Sequence, residues 1–586
     1  MEFHYTDEKN VQIVLALLKA NNIKKVVVSP GATNESIVGS MQYDSYFEMY
    51  SCVDERSAAY MACGMAVESG EIVVLSCTGA TSSRNYLPGL TEAYYRHIPI
   101  LAITSSMPTA NIGHLYPQCT NRSTPPIDAV RASYCIESIK DAVDEWDRTV
   151  KVNEAIAELK RGGGGPVHIN LITRGCNDYS INDLPTVKTI KRIRYNDSFP
   201  SLEKKNVLVF IGERFRWAEE DTKALDQFCN TYNTIALCDH TSGYKGKYRV
   251  LSSLVATQEN PVDTSLYNCD VLIHIGGISG DYYTMSAIKA NEVWRVDEDG
   301  EMRDKFRKLT YVFEMPIYEF FNKYSKADQL KDNNKLKAYE NANRKLLSNM
   351  PNLPFSNAWL ASRLSKDIPN NSVIHLGILN SLRSWNFFEV DKTIQTYCNV
   401  GGFGIDGIMS TMIGAALCNP TKLYYAVLGD LAFFYDLNSI GNRNVTPNIR
   451  ILLVNNGRGV EFHTYKHAAS KFGEDTDKYI AAFGHNGIKS PTLVKEMARS
   501  LGFEYITARS CEDYDIVANR FCTSHITDKP MIFEVFTEKV DDADVLRLIR
   551  QINASPKTRI KSRVLETAQS ILGEKVMSKA KKFIRK

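Results

Sequence analysis

Long apolar runs are missing from these 586 residues. None approaches the ~18 residues a helix needs to cross a bilayer, so the sequence gives no sign of an integral membrane protein. Paired cysteines are missing too. The thirteen cysteines include no CxxC and no ladder of spacings, which removes the usual zinc site and disulfide framework and suits a reducing cytoplasm. An excess of charge of one sign is missing as well: 70 Lys and Arg against 67 Asp and Glu leave a formal net charge of +3, which by itself implies no nucleic-acid partner. The opening MEFHYTDEKNVQIVLALLKANN lacks the basic start and unbroken apolar stretch of a signal peptide and has the period of an amphipathic helix. A cytoplasmic protein is expected.

What is present is an ordinary soluble composition, 44% apolar and 23% charged, in a chain long enough for about three or four domains. Three α/β blocks follow one another. In the first, KKVVVSPG, EIVVLSCTGA and IPILAITSS are short β-branched runs ending in small polar residues. That pattern marks parallel strands whose C-terminal ends can receive a ligand. The block closes near RGGGGPVHINLI, and residues 176–204 read as a linker. A second block carries NVLVFIGER, TIALCDHTSG, CDVLIHIGG and EVWRVDEDG. It has no GxGxxG after a strand, so no dinucleotide is assigned to it. A Lys- and Asn-rich helical stretch at about 325–350 leads to the third block, with SVIHLGILNS, LYYAVLGDLAFF, IRILLVNNGRG and PMIFEVFTE. The expected fold class is α/β, with three doubly wound parallel-sheet domains: residues 1–180, 200–330 and 356–550. In residues 555–586, ten Lys or Arg stand against two Glu, and Ile560, Val564, Ala568, Ile571, Leu572, Val576, Ala580 and Phe583 recur at helical spacing. This predicts a basic amphipathic helix, docked on the protein's own body or lying on an acidic membrane surface.

Two stretches carry chemistry. In YSCVDERSAAYMACG, Asp54, Glu55 and Arg56 precede a helix whose small residues Ala58, Ala59, Ala62 and Gly64 would let it pack closely on the sheet. A first-turn carboxylate favoured by the helix dipole is one reading. A partly desolvated carboxylate put to use is the other. In GDLAFFYDLNSIGNRNVTPNIRILLVNNGRG, Asp430 ends one strand and Asn456 ends the next. One strand-helix-strand unit brings both side-chain oxygens to the sheet's C-terminal edge, where hard oxygen ligands and a helix N-terminus suit magnesium shared with phosphates.

This second segment resembles the thiamine diphosphate motif, GDG followed at some distance by NN, with Leu431 where the third glycine usually stands. VVVSPGATNES, VDERSAA, CTGATSSRNYLPGLTEAYY, GPVHINLI, GILNS, GFGIDGIMSTMIGAAL and NNGRG agree, in the right order, with the acetolactate synthase and pyruvate decarboxylase type of enzyme. Within it they resemble most the menaquinone-pathway succinyl-enolpyruvyl-hydroxycyclohexene-carboxylate synthases, over about residues 5–550. The resemblance implies a pyrimidine-binding first block, a central block and a diphosphate-binding third block, with cofactor between two subunits of a homodimer or a dimer of dimers. It implies Glu55 as the activating glutamate and Gln118 facing the reacting carbon, with His114 a candidate acid or base. A lone loop histidine is more often a bystander. Asn380, Ser381, Gly404, Ile405, Asp430, Leu431 and Asn456 would meet the cofactor, and Asp430, Asn456 and the carbonyl of Arg458 would hold Mg2+.

The departures from that branch are specific. Its arginines grip the carboxylates of its substrates, and the matching places here hold Thr33, Met107, Trp385 and Val400, with Arg383 nearby. Isochorismate is therefore not the expected acceptor, and the less polyanionic pocket, with Met107 and Trp385, suggests a smaller or less charged one. Nothing in the middle block independently signals FAD. The expectation is an enzyme that decarboxylates a 2-oxo acid and joins the product to an aldehyde or ketone. A simple decarboxylase releasing an aldehyde is the second reading. A non-catalytic cofactor-binding regulatory subunit is the third, and retention of Glu55 argues against it.

Overall fold

The computed structural model describes residues 4–555 apart from 123, 176–177, 215–216, 326–332, 465–466 and 486–489. The basic helix expected after residue 555 lies outside the described residues. The chain divides into two compact units, Met1–Phe199 with Val293–Glu314, and Pro200–Glu292 with Met315–Lys586.

The first unit is built on a six-stranded sheet of β1 (Lys25–Val28), β2 (Glu48–Ser51), β3 (Val73–Thr78), β4 (Ile100–Ser106), β5 (Ser133–Ile136) and β6 (Val167–Ile172), in the order β2-β1-β3-β4-β6-β5. Every pairing in it is parallel. Because side chains alternate faces along a strand, an unbroken apolar run must feed two cores. Val26 and Val28 pack with Leu101 and Ile103 on one face, and Val27 packs with Leu75, Cys77 and Ala102 on the other. The stretch expected to be a linker contains a further strand, β7 (Lys191–Ile193). It pairs with β13 (Leu309–Phe313), which pairs in turn with β12 (Lys289–Val296). A three-residue polar strand has too little period to be read from sequence.

The second unit holds β8 (Val207–Ile211), β9 (Ala236–Cys238), β10 (Arg249–Leu251) and β11 (Asn268–Ile275), parallel in the order β10-β9-β8-β11. The helix Asn334–Ser348 then leads to the last sheet. That sheet contains β14 (Val373–Leu376), β15 (Gln395–Cys398), β16 (Tyr424–Gly429), β17 (Ile449–Asn455), β18 (Glu504–Ala508) and β19 (Met531–Phe536), ordered β15-β14-β16-β17-β19-β18. This is the strand order of the first sheet repeated, so the duplicated plan is real. In both sheets the direction of winding reverses beside the first strand, and the crevice there, at the strand C-termini, is where open α/β sheets bind ligands. No helix among the described residues is long and apolar enough to cross a membrane.

Candidate active site

β16 and β17 are neighbours with Gly429 opposite Val454, so Asp430 and Asn456 leave the sheet from adjacent strands. Asp430 opens the helix Asp430–Tyr435 and is 2% exposed. Among the described residues its Oδ2 is buried and unpartnered, and so is Oδ1 of Asn456. Asn456 is turned that way by Asp542, a buried residue whose Oδ2 accepts from Asn456 Nδ2 at 3.0 Å. Asp542 is fixed in turn by the Thr537 hydroxyl and by the Asn357 N–H at 2.7 Å. With its nitrogen committed to a carboxylate, the Asn456 amide can present only oxygen on the other side. Burial pushes the Asp430 carboxyl up to about 7, although backbone N–H groups of Leu431, Asp430 and Gly457 act against the rise. A buried carboxylate oxygen without a partner is costly unless a cation or proton joins it. The arrangement fits a hard divalent cation with oxygen ligands. Among the described residues no three of His, Cys, Asp and Glu gather to hold a metal, so the donors here are a carboxylate, an amide and backbone. The Arg458 carbonyl accepts from the Val460 N–H at 3.1 Å and keeps one lone pair free for a further contact. The Arg458 side chain pairs with Asp477, which also meets His463 Nε2 at 2.7 Å.

Asn380 and Ser381 start the helix Asn380–Trp385 directly after Leu379, whose φ of 63° and ψ of −118° lie where L-residues rarely sit. Such strain is kept where the surroundings force it, often beside a binding site. Ser381 is buried and Asn380 half-buried, with Asn380 Oδ1 accepting from Arg383 at 3.1 Å. Ile405 packs against the core of this sheet, and Gly404 stands where a Cβ would collide with Asp406 Oδ1 at 2.3 Å. Leu431 lies 3.4 Å from the Cβ position of Gly459. It therefore fills space beside the asparagine loop instead of leaving backbone exposed as a glycine would.

Two expectations about the pocket change. Trp385 is 0% exposed and Val400 3% exposed, so both belong to the core and neither lines an open cavity. Arg383 forms a bidentate pair with Glu461 at 2.6 and 3.0 Å, so its charge is already balanced. That pair lines a cavity of about 210 Å³ together with Tyr282, Tyr283, His467 and Arg550.

In the first unit Asp54, not Glu55, caps the helix Glu55–Ser69, its Oδ1 accepting from the N–H groups of Arg56 at 3.0 Å and Ser57 at 3.4 Å. Glu55 is thereby released from capping. Burial pulls its carboxyl up, but hydrogen bonds from Ser82, its own N–H and Asn85 outweigh that and hold it below the usual carboxylate range. Asn85 Nδ2 is 3.3 Å from Glu55 Oε2. Ala58, Ala59 and Ala62 are buried as expected, whereas Gly64 is exposed and a Cβ there would meet nothing within 4 Å. Gln118 and His114 sit on an exposed loop, Gln118 with a φ of 61°. Thr33, at the crevice between β1 and β3, donates to the Ser105 carbonyl at 2.8 Å. Met107 is half-buried. Sequence reasoning missed Asp542, Glu461 and Asp477. The first lies 86 residues from its partner Asn456 and the second 78 from Arg383, separations with no local signature.

Residues 9–125 match the family model described as "Thiamine pyrophosphate enzyme, N-terminal TPP binding domain". The 2-succinyl-5-enolpyruvyl-6-hydroxy-3-cyclohexene-1-carboxylate synthase of Bacteroides thetaiotaomicron is 31% identical over 566 residues, covering 93% of this chain and 98% of that protein. The enzymes of the same name from Phocaeicola vulgatus, at 30%, and Bacteroides fragilis, at 29%, match over the same shares of each chain. With glycine-aspartate and paired asparagines on adjacent strand ends, and likeness running through nearly the whole length, the chain belongs to the family of thiamine diphosphate-dependent enzymes acting on 2-oxo acids that includes these synthases.

Proposed function

We propose that the protein decarboxylates a 2-oxo acid with thiamine diphosphate and Mg2+ and joins the product to an acceptor carbonyl. The observation that carries this reading is the pair of buried, unpartnered oxygens on Asp430 and Asn456, held open by Asp542. They would hold Mg2+, with a backbone carbonyl such as that of Arg458 beside them, and Asn380, Ser381, Gly404, Ile405 and Leu431 would line the cofactor. When bound, thiamine diphosphate supplies the electron sink that a 2-oxo acid needs in order to lose carbon dioxide. The chain's own part is to hold and move protons and to keep water out. Glu55, ionised and steadied by Asn85 and Ser82, would share a proton through its carboxylate with the aminopyrimidine ring nitrogen. Gln118 and His114, on the loop after β4, would face the reacting carbon. Residues 1–180, 200–330 and 356–550 would then be the pyrimidine-binding, central and diphosphate-binding domains.

A second copy of the chain would complete the site. The helix Glu55–Ser69 leaves Tyr60, Met61 and Val67 exposed around the open Gly64, and the helix Ile408–Cys418 leaves Leu417 exposed beside the equally open Gly414. Such apolar faces with small residues favour close helix packing between protomers. The cysteines of the described residues are all free, which agrees with a reducing cytoplasm.

Purified protein with thiamine diphosphate, Mg2+ and a panel of 2-oxo acids, with and without aldehyde acceptors, should release carbon dioxide and form a ligated product. An aldehyde as sole product would favour the simple decarboxylase. Glu55→Gln should bind cofactor normally, read by quenching of protein fluorescence, and lose roughly 10²–10⁴-fold in turnover. Full activity in that variant would overturn the assignment.

A further inference from the structure

The first unit contains a buried arginine that no carboxylate among the described residues neutralises. Arg122 is 5% exposed. Its Nη1 donates to Thr104 Oγ1 at 2.8 Å and its Nη2 to Asn170 Oδ1, while its Nε is buried with no partner. The groups that act on it electrically are the thiols of Cys77, Cys135 and Cys119 and a second guanidinium, that of Arg84. Burial lowers its pKa, and Arg84 adds to the lowering. Charged residues are seldom buried without a counter-charge, because desolvation is then uncompensated.

The guanidinium is also held still. Thr104 Oγ1 accepts from Arg122 and lies 2.7 Å from His168 Nε2, and His168 Nδ1 lies 2.8 Å from Ser133 Oγ. His168 is buried and neutral, its pKa lowered to about 3 by burial and by both arginines. It therefore orients the network without offsetting the charge. Above, Gly79 lets the arginine approach the backbone: a Cβ there would stand 3.4 Å from Arg122 Cζ and 3.2 Å from the Ser105 carbonyl.

A cavity of about 30 Å³ lies at this arginine, lined also by Ser83, Arg84, Thr104 and His168 and by four apolar residues, Leu87, Leu90, Pro125 and Val130. It holds about two waters, the span of the two oxygens of a carboxylate. Arg84 is exposed and Ser83 half-buried, so the cavity has a polar approach. Ser83 and Arg84 belong to the same short helix, Thr81–Asn85, whose Ser82 and Asn85 hold Glu55. We propose that Arg122, with Arg84, Ser83 and Thr104, forms a carboxylate-binding site one side chain removed from the glutamate. Thr33 and Met107 put no charge on this sheet edge, so Arg122 is the residue that would set a preference for an anionic group there.

The site itself stands apart from the catalytic reading, and only its assignment to a substrate rests on that reading. The probe is sodium formate against sodium chloride at equal ionic strength. The holoprotein should melt roughly 1–2 °C higher in formate. Arg122→Gln should lose that difference, and Arg84→Gln, at an exposed position whose guanidinium donates to the Asn121 carbonyl at 3.2 Å, should weaken it. A second arm reads KM for 2-oxo acid turnover. A rise of roughly 10- to 100-fold in Arg122→Gln, with cofactor affinity unchanged, identifies the bound carboxylate as the substrate's. Formate protection lost with KM unchanged identifies a free carboxylate as the occupant. If wild type shows no formate effect, or both variants keep it in full, the site does not exist, whatever the enzyme turns over.

Discussion

Gly89→Ala sets two effects of opposite sign against each other. Gly89 lies in the helix Leu87–Tyr95, and in a free helix an alanine there would add about 1 kcal/mol of stability. In this protein the new Cβ would stand 2.4 Å from Ala59 Cβ, 2.9 Å from the Ala59 carbonyl carbon and 3.1 Å from the Tyr60 nitrogen. Carbon atoms pack at about 3.5–4.0 Å, so the two helices must part by about 1 Å. Two of the three obstacles are backbone, which no rotamer change relieves. Overpacking of this kind costs about 1–3 kcal/mol, with the upper end expected here. The net is a loss of about 1–2 kcal/mol. The helix it pushes against begins at Glu55, and if that residue has the catalytic part proposed for it, a misplacement of about 1 Å there can cost about 10²-fold in rate. Amide hydrogen exchange of Glu55–Ser69 reads the local stability directly. Protection there should fall, and turnover should drop with it. A variant with increased protection would mean that helix propensity won, and that the two helices do not meet as described.

Asp430→Asn should make the cofactor-free protein more stable while abolishing its stabilisation by Mg2+ and thiamine diphosphate. The carboxyl is raised from 3.8 to about 7 in the folded protein. Its stabilising contribution is complete below pH 3.8 and is lost as pH rises through 7. At pH 8 the charge therefore costs on the order of 4 kcal/mol that asparagine avoids. Thermal unfolding at pH 8 with and without Mg2+ and cofactor checks both signs, and a variant still stabilised by the metal would refute the cradle. His168 works in the other direction. Its pKa falls from 6.5 to about 3, so its contribution is complete above pH 6.5 and is lost as pH falls toward 3, about 2 kcal/mol by pH 5. His168→Asn should flatten the stability-pH slope by up to one proton in that window, and an unchanged slope in urea titrations at pH 5 and 7 would contradict it.

Much of the fold was legible because buried parallel strands are apolar on both faces. β1, β3, β4, β6, β8, β11, β16, β17 and β19 all coincide with runs visible in the sequence. The sheet edges were not. β2 is EMYS, half to fully exposed, and β15 is QTYC, so neither shows the unbroken apolar signal. β7 was lost inside an apparent linker for the same reason. At the site, Asp430 and Asn456 were legible because one strand-helix-strand unit fixes their neighbourhood locally. Glu55 was legible as a helix-start carboxylate. That Asp54 takes the capping role, and so leaves Glu55 free, needed backbone geometry.

By itself, then, the sequence determined three parallel α/β sheets, the family, and the residues that local spacing brings to a strand end. These depend on periods of two and 3.6 residues and on short connections, which any stretch of chain expresses without reference to the rest. Only the tertiary structure decided which charges are balanced. Arg383 is neutralised by Glu461, Trp385 is sealed in the core, Asn456 is aimed by Asp542, and Arg122 is buried with none of the described carboxylates beside it. The energy of a charge depends on what else lies within a few ångströms once water is gone, and those neighbours come from distant parts of the chain.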